Sequence, residues 1–189
     1  MDGKPIFYSH KRYGLQMQKI KIHKFRTMIV GSGPPVTLHE DLRVTELGKL
    51  LRFSKLDELP QLINILFGDL SFVGPRPESI QIVENNLDSF SYLKTTKPGI
   101  TDINSIIFKD ETHMFRISDL EEYEVKILPI KSELTNKTGI NFSLKKKCVI
   151  IFLTLFSFVH FDLTLKVINR YFFTSVDTDI RNKLNKLFL

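Results

Sequence analysis

The stretch VTELGKLLRFSKLDELPQLINILFG, residues 44–68, decides the fold. Val44, Leu47, Leu50 and Leu51 recur at helical spacing, with Lys49 and Arg52 off that face, and predict one helix. Leu59, Leu62, Ile63 and Leu66 sit at i, i+3, i+4 and i+7 and predict a second, which Gly68 stops. Between them, Lys55 to Gln61 reads as a helix start. Asp57 is a good N-cap, Glu58 suits the first turn, and Pro60 is tolerated where early N–H groups lack intrahelical partners. The pair would then sit at the positive end of a helix dipole, which favours ionised carboxylates and phosphate alike. An ionised carboxylate is a nucleophile toward phosphorus, and two adjacent ones can hold Mg²⁺ beside substrate phosphates. An ordinary Asp cap followed by Glu has the same local pattern, so this segment alone leaves both readings open.

Working outward, Pro5 to Phe25 predicts strand, turn, strand: Ile6-Phe7-Tyr8 is apolar, Gly14 turns, and Lys19-Ile20-Lys21-Ile22 alternates with period two. Gly31-Ser32-Gly33-Pro34-Pro35 is a loop. Ser71 to Pro77 predicts an extended, proline-stiffened loop, residues 78–93 a helix, and Lys97-Pro98-Gly99 another break. Residues 119–134 predict a helix interrupted near Pro129. Lys145-Lys146-Lys147 then precedes CVIIFLTLFSFV, a charge-free run too short to span a bilayer, which needs about 20 residues. Two readings stand for it: a helix lying in a membrane interface, or a buried core helix.

The 189 residues suit one domain with a short tail, here 1–170 and 171–189. Hydrophobic residues at 42% and charged residues at 25% argue against global disorder. The single Cys148 excludes an intramolecular disulfide framework and any Cys-cluster zinc site. Charge is uneven. Residues 1–30 carry seven Lys or Arg against Asp2, residues 31–144 twelve against 17 acids, and residues 145–189 eight against three. Basic ends of this kind meet nucleic acid, anionic headgroups or a phosphorylated small molecule.

The carboxylate pair has cationic company in sequence. Lys24-Phe25-Arg26-Thr27 closes the basic hairpin, and Arg43 and Arg52 are expected on the helix just before the pair. Asp69 follows the second helix, and Arg76 stands between Pro75 and Pro77. Arginine grips phosphate bidentately, and flanking prolines would fix its approach; each arginine could equally neutralise a surface acid. No G-x-G-x-x-G or G-K-[ST] fingerprint occurs. The five histidines have no i, i+4 pairing, the serines no G-x-S-x-G setting, and Cys148 reads as a packed residue.

KFRTM (24–28), DLRVTELGKLLR (41–52), LDELPQLIN (56–64), GDLSFVGPRP (68–77) and KPGIT (97–101) together resemble the bacterial sugar transferase family, the monotopic phosphoglycosyl transferases of glycan assembly. The resemblance implies transfer of a sugar 1-phosphate from a UDP-sugar to polyprenyl phosphate, with UMP released and Mg²⁺ required, at the cytoplasmic face of the bacterial inner membrane. It implies that Asp57 attacks the β-phosphorus to form a covalent intermediate and that Glu58 serves Mg²⁺ and phosphate positioning. Arg76 would hold phosphate, with Pro75 and Pro77 shaping the nucleotide pocket. Lys24, Arg26 and Arg52 would be further phosphate partners, and Asp69 would join Asp57 and Glu58 in the metal shell.

Family members carry an apolar re-entrant stretch ahead of the segment matching Lys4 to Gly14. This sequence starts at Met1 without it, so the expectation is a truncated sequence or a lost anchor. Asp102 stands where a small residue often follows KPGIT, and Ile103 to Lys131 fits a less common variant. The competing readings are an inactive remnant or scaffold that binds nucleotide or a partner, and a nucleic-acid module supported only by the basic hairpin. Nucleic acid is not an expected partner; a membrane surface is. The expected fold is α+β and mostly helical, with a short N-terminal β-hairpin and amphipathic, membrane-surface helices.

Overall fold

A computed structural model describes residues 4–31, 41–109, 120–138 and 142–173. The chain opens with an antiparallel hairpin, β1 (Phe7–Tyr13) and β2 (Lys19–Phe25), in which Phe7 faces Phe25 and Tyr13 faces Lys19. The expected α+β, mostly helical class holds. Helix α1 (Glu46–Ser54) follows, then a 3₁₀ turn (Leu56–Glu58) and α2 (Gln61–Leu66). The sequence pattern set the first helix too early. Thr45 caps it, its hydroxyl accepting from Gly48 N at 2.9 Å, and Arg43 and Val44 lie ahead of it, Val44 bridging to Met28. Gly48 permits the approach of α1 to the hairpin, because a Cβ there would stand 2.0 Å from Thr27 O.

The presumed loop at 71–77 begins with a strand. β3 (Ser71–Val73) pairs in parallel with β4 (Gly99–Thr101), so the KPGIT segment lies beside the Pro-Arg-Pro segment. A Cβ on Gly99 would meet Gly74 N at 2.2 Å, so only glycine lets these backbones touch. The helix expected over 78–93 is split: α3 (Ile80–Asn85) gives way to a 3₁₀ segment (Leu87–Lys94) with a kink at Phe90. After β4 comes α4 (Ile103–Ile107). The interruption near Pro129 is real and takes the form of a π-helical turn, Tyr123–Ile127, just ahead of α5 (Leu128–Thr138). Proline has no N–H to give to an i−4 carbonyl, and a widened turn before it absorbs the lost bond. The basic-apolar run forms α6 (Leu144–Phe156) and is followed by α7 (Phe161–Phe172). The loop residues 32–35 and tail residues 174–189 lie outside the described residues.

One apolar core joins Val73, Ile82, Val83, Leu93, Ile106, Ile127, Leu134, Ile150 and Ile168. The core reading of the apolar run holds for one face of the helix: Ile150 and Leu153 of α6 are buried in the core, while Phe152 and Leu155 face outward. The α1–α2 unit contributes no side chain to this core. Its apolar stripe points away: Leu47, Leu50, Phe53, Leu59, Leu62 and Leu66 are all exposed, Phe53 at 80%. No helix among the described residues is long and apolar enough to cross a membrane.

Candidate active site

The corner between α1 and α2 is built by backbone conformation. Lys55 takes the left-handed region (φ 56°), ending α1 and starting the 3₁₀ turn that carries Asp57 and Glu58. The carboxylates thus stand in a tight turn ahead of α2, not on its first turn, and Asp57 caps nothing. Its side chain is only 6% exposed, and among the described residues its Oδ1 has no hydrogen-bond partner. A capping aspartate would have spent that oxygen on a backbone N–H.

Glu58 is held differently. Lys24 Nζ donates to its Oε1 at 2.8 Å, and the Arg76 guanidinium grips both oxygens. Burial alone would push the Glu58 carboxyl up, but Arg76 and Lys24 outweigh it and hold the carboxyl well below the ordinary range. Burial raises Asp57, with Glu58 adding to the rise and Lys24, Lys55 and Arg52 opposing it. Two neighbouring carboxyls are thus driven apart, a pattern typical of sites with divided roles. Burial and the positive field of Arg12, Lys24 and Arg76 lower His10 to about 3, so its imidazole is neutral at physiological pH.

Supporting bonds fix the frame. Asn64, buried in α2, donates to Lys21 O at 2.6 Å and accepts from His23 N at 3.1 Å, which locks α2 onto β2. Arg52 Nε donates to Thr27 Oγ1 at 2.8 Å, tying α1 to the end of the hairpin. Gly99 N donates to Pro75 O at 3.0 Å, which anchors the backbone beside Arg76.

Asp57, Glu58, Lys24, Arg76 and His10 line one cavity of about 1460 Å³. Of the residues singled out in the sequence, Asp57, Glu58, Lys24, Arg26, Arg52, Pro75 and Arg76 all reach it. Pro77 and Asp69 do not; Asp69 follows α2 and accepts from Asn64 Nδ2 at 3.2 Å. Sequence reading missed Asn64, His10 and Lys55. An asparagine amid an apolar helical run was the available signal for Asn64, because Asn is a poor interior helix former. His10 could be inferred only from hairpin register.

Among the described residues no cluster of three or more His, Cys, Asp or Glu side chains could hold a divalent cation. Asp57 Oδ1 is an oxygen in need of a partner, whereas both Glu58 oxygens are engaged by cations. Mg²⁺ fits such a site as an ion carried partly by substrate phosphates, with few protein ligands.

A family model described as bacterial sugar transferase matches residues 1–160. A UDP-glucose:undecaprenyl-phosphate glucose-1-phosphate transferase of Klebsiella pneumoniae is 39% identical over 108 residues, covering 54% of this chain and 23% of that protein. An undecaprenyl-phosphate galactose phosphotransferase of Salmonella typhimurium is 36% identical over 118 residues, covering 53% and 25%. The exopolysaccharide production protein ExoY of Sinorhizobium fredii is 40% identical over 123 residues, covering 53% and 52%. The chain thus spans from about a quarter to about half the length of these relatives.

Proposed function

The chain belongs to the bacterial sugar transferase family, and from that premise we propose that it moves a sugar 1-phosphate from a UDP-sugar to polyprenyl phosphate. The observation that carries the reading is the unpartnered, buried Oδ1 of Asp57 on the wall of a cation-lined cavity. Relatives named for undecaprenyl-phosphate sugar phosphotransfer support the substrate class.

In the first step an Asp57 oxygen attacks the β-phosphorus of the donor. The bond from that phosphorus to the bridging oxygen breaks, and UMP leaves with the electron pair. An acyl phosphosugar remains on Asp57. A phosphate oxygen of the polyprenyl acceptor then attacks the same phosphorus and releases the aspartate. The lack of a hydrogen bond to Oδ1 leaves that lone pair undamped; burial raises the Asp57 carboxyl, and Lys24, Lys55 and Arg52 oppose that rise in favour of the ionised form. Glu58 holds Lys24 and Arg76 toward the diphosphate, where preorganised cations stabilise the charge that develops in transfer. Arg26 and Arg52 are further phosphate partners on the same wall. Mg²⁺, when bound, would supply charge neutralisation on the diphosphate, with Asp57 as its nearest available carboxylate.

The acceptor is a lipid, and the cavity is edged accordingly. Phe53, Leu56, Leu59 and Leu62 from the α1–α2 corner and Leu155 and Phe158 from α6 and its end all border it and are exposed. An apolar rim around a cationic floor suits a lipid surface that presents a phosphate, here the cytoplasmic face of the inner membrane.

The test is exchange of labelled UMP into UDP-sugar by full-length protein in detergent, with Mg²⁺ and no acceptor. A two-step mechanism predicts exchange and a protein mass raised by one phosphosugar, both lost in Asp57→Asn. Exchange that persists in that variant would overturn the covalent role. Nucleotide binding with neither exchange nor acceptor-dependent UMP release would leave a binding scaffold instead.

A further inference from the structure

The same cavity has a second polar region that the transfer steps do not use. Asp102 and Asn104 lie on its wall with Ser105, Lys131 and Thr135. Asp102 is buried, its Oδ1 accepting from Ser105 N at 2.7 Å and from Ser105 Oγ at 2.6 Å. Asn104 is 8% exposed. Its Nδ2 is committed twice, to Lys131 O at 3.1 Å and Thr135 Oγ1 at 2.7 Å, which fixes the amide. Its Oδ1 is then left buried with no partner among the described residues. A buried carbonyl oxygen without a partner is costly, and ligand sites are where such groups are kept.

This region adjoins the phosphate grip. Asp102 lies in the electrostatic field of Arg76, which holds Glu58, and of Lys131. It also shares a small void with Pro75 and Asn104. The two regions share one cavity wall, so a donor whose phosphate meets Asp57 and Arg76 can extend along it toward Asp102 and Asn104.

What that group must be follows from hydrogen-bond polarity. The available atoms are acceptors: a carboxylate and an amide oxygen whose own N–H groups are spent. A uracil edge offers these acceptors a single N–H donor, flanked by two acceptors that they would repel. A hexose presents a row of hydroxyl donors, and an N-acetyl hexose adds an amide N–H. We propose that Asp102 and Asn104 form the subsite that holds the hexose of the nucleotide-sugar donor and sets which sugar is accepted, a deepening that rests on the donor reading above. Lys131 holds the Asn104 amide through its backbone oxygen, while its Nζ donates to Tyr123 OH at 3.1 Å and the Tyr123 hydroxyl donates to Glu78 at 2.8 Å.

The experiment is calorimetric binding to the full chain in detergent, so it does not depend on turnover. The probes are UMP, UDP-glucose, UDP-galactose and their N-acetylated counterparts. Asp102→Asn keeps an acceptor for Ser105 but removes the charge and turns the second acceptor oxygen into a donor; Asn104→Leu removes the orphan oxygen, with melting curves to confirm folding. The affinity for the preferred UDP-sugar is expected to fall roughly tenfold to a hundredfold, as for loss of one or two hydrogen bonds, while UMP affinity stays within about twofold. The ranking of the four donors should also change. Equal losses for UMP and UDP-sugar would assign these residues to the nucleotide and overturn the proposal, as would no change in either. If Asn104→Leu does not fold, Asp102→Asn decides. Wild-type protein that binds none of the five probes would sink the donor reading too, whereas UMP exchange with unaltered donor ranking would sink this subsite alone.

Discussion

Replacing Glu58 by Gln preserves shape and removes the charge that Lys24 and Arg76 share. The Glu58 side chain is 11% exposed, Lys24 20% and Arg76 38%. Removing one member of a fully buried ion pair costs about 3–5 kcal/mol, because a buried charge is left uncompensated. Arg76 is more than a third exposed, so water screens its share, and roughly 2–3 kcal/mol is expected. For a domain of this size that corresponds to a melting temperature lower by roughly 4–12 °C at pH 7. The pH dependence identifies the cause. Glu58 titrates well below its ordinary 4.5, so near and below that value the unfolded chain binds the extra proton first. Its stabilisation is therefore complete above pH 4.5 and lost as the pH falls through the lowered native value. Asp57, raised by burial, works in the opposite sense: its contribution is lost as the pH rises through its native value. Thermal melts of wild type and Glu58→Gln from pH 3 to 8 should thus converge on the acid side. A gap that stays constant across that range, or no gap at pH 7, would refute the assignment of Glu58 as the clamp on the two cations.

Gly48→Ala should destabilise by about 2 kcal/mol. Overpacking against the Thr27 carbonyl costs up to roughly 3 kcal/mol and outweighs the roughly 1 kcal/mol of helix propensity gained, which a denaturant melt would measure. Asn64→Leu keeps the branching at Cγ but strips Lys21 O and His23 N of their partner, with an expected loss of roughly 2–4 kcal/mol and a fall in UMP exchange; full exchange at unchanged stability would show that α2 needs no such tie. Leu66→Ser and Phe67→Ser, at 85% and 81% exposure, should leave the melting temperature within about 1 °C yet weaken sedimentation with anionic vesicles, and equal sedimentation would count against the lipid-facing stripe.

Some of this was legible in the residues and some was not. The hairpin was plain because Lys19 to Ile22 alternates and Gly14 turns the chain, a purely local signal. The α1 and α2 stripes were also plain as helices, but periodicity says only that one face is apolar, not that protein covers it; here no other part of the described residues covers it. The β3–β4 pair was invisible, because two strands of three residues each, more than 20 positions apart, leave no period to detect. Asp57 and Glu58 stood out as a pair, yet their difference did not. It arises from Lys24 and Arg76, brought in from a strand and a distant loop. The partnerless oxygen of Asn104 could not be read at all, since its amide is committed to Lys131 and Thr135 far along the chain.

The touch between Gly74 and Gly99 carries a lesson for protein engineering. Because it is made by main-chain atoms, the arm that presents Arg76 is braced without any demand on neighbouring side chains. A designer could therefore exchange the segment after Thr101 to alter the proposed donor subsite, provided the glycine pair is left untouched. Tolerance on one side of that hinge pin is the corollary of intolerance at the pin itself.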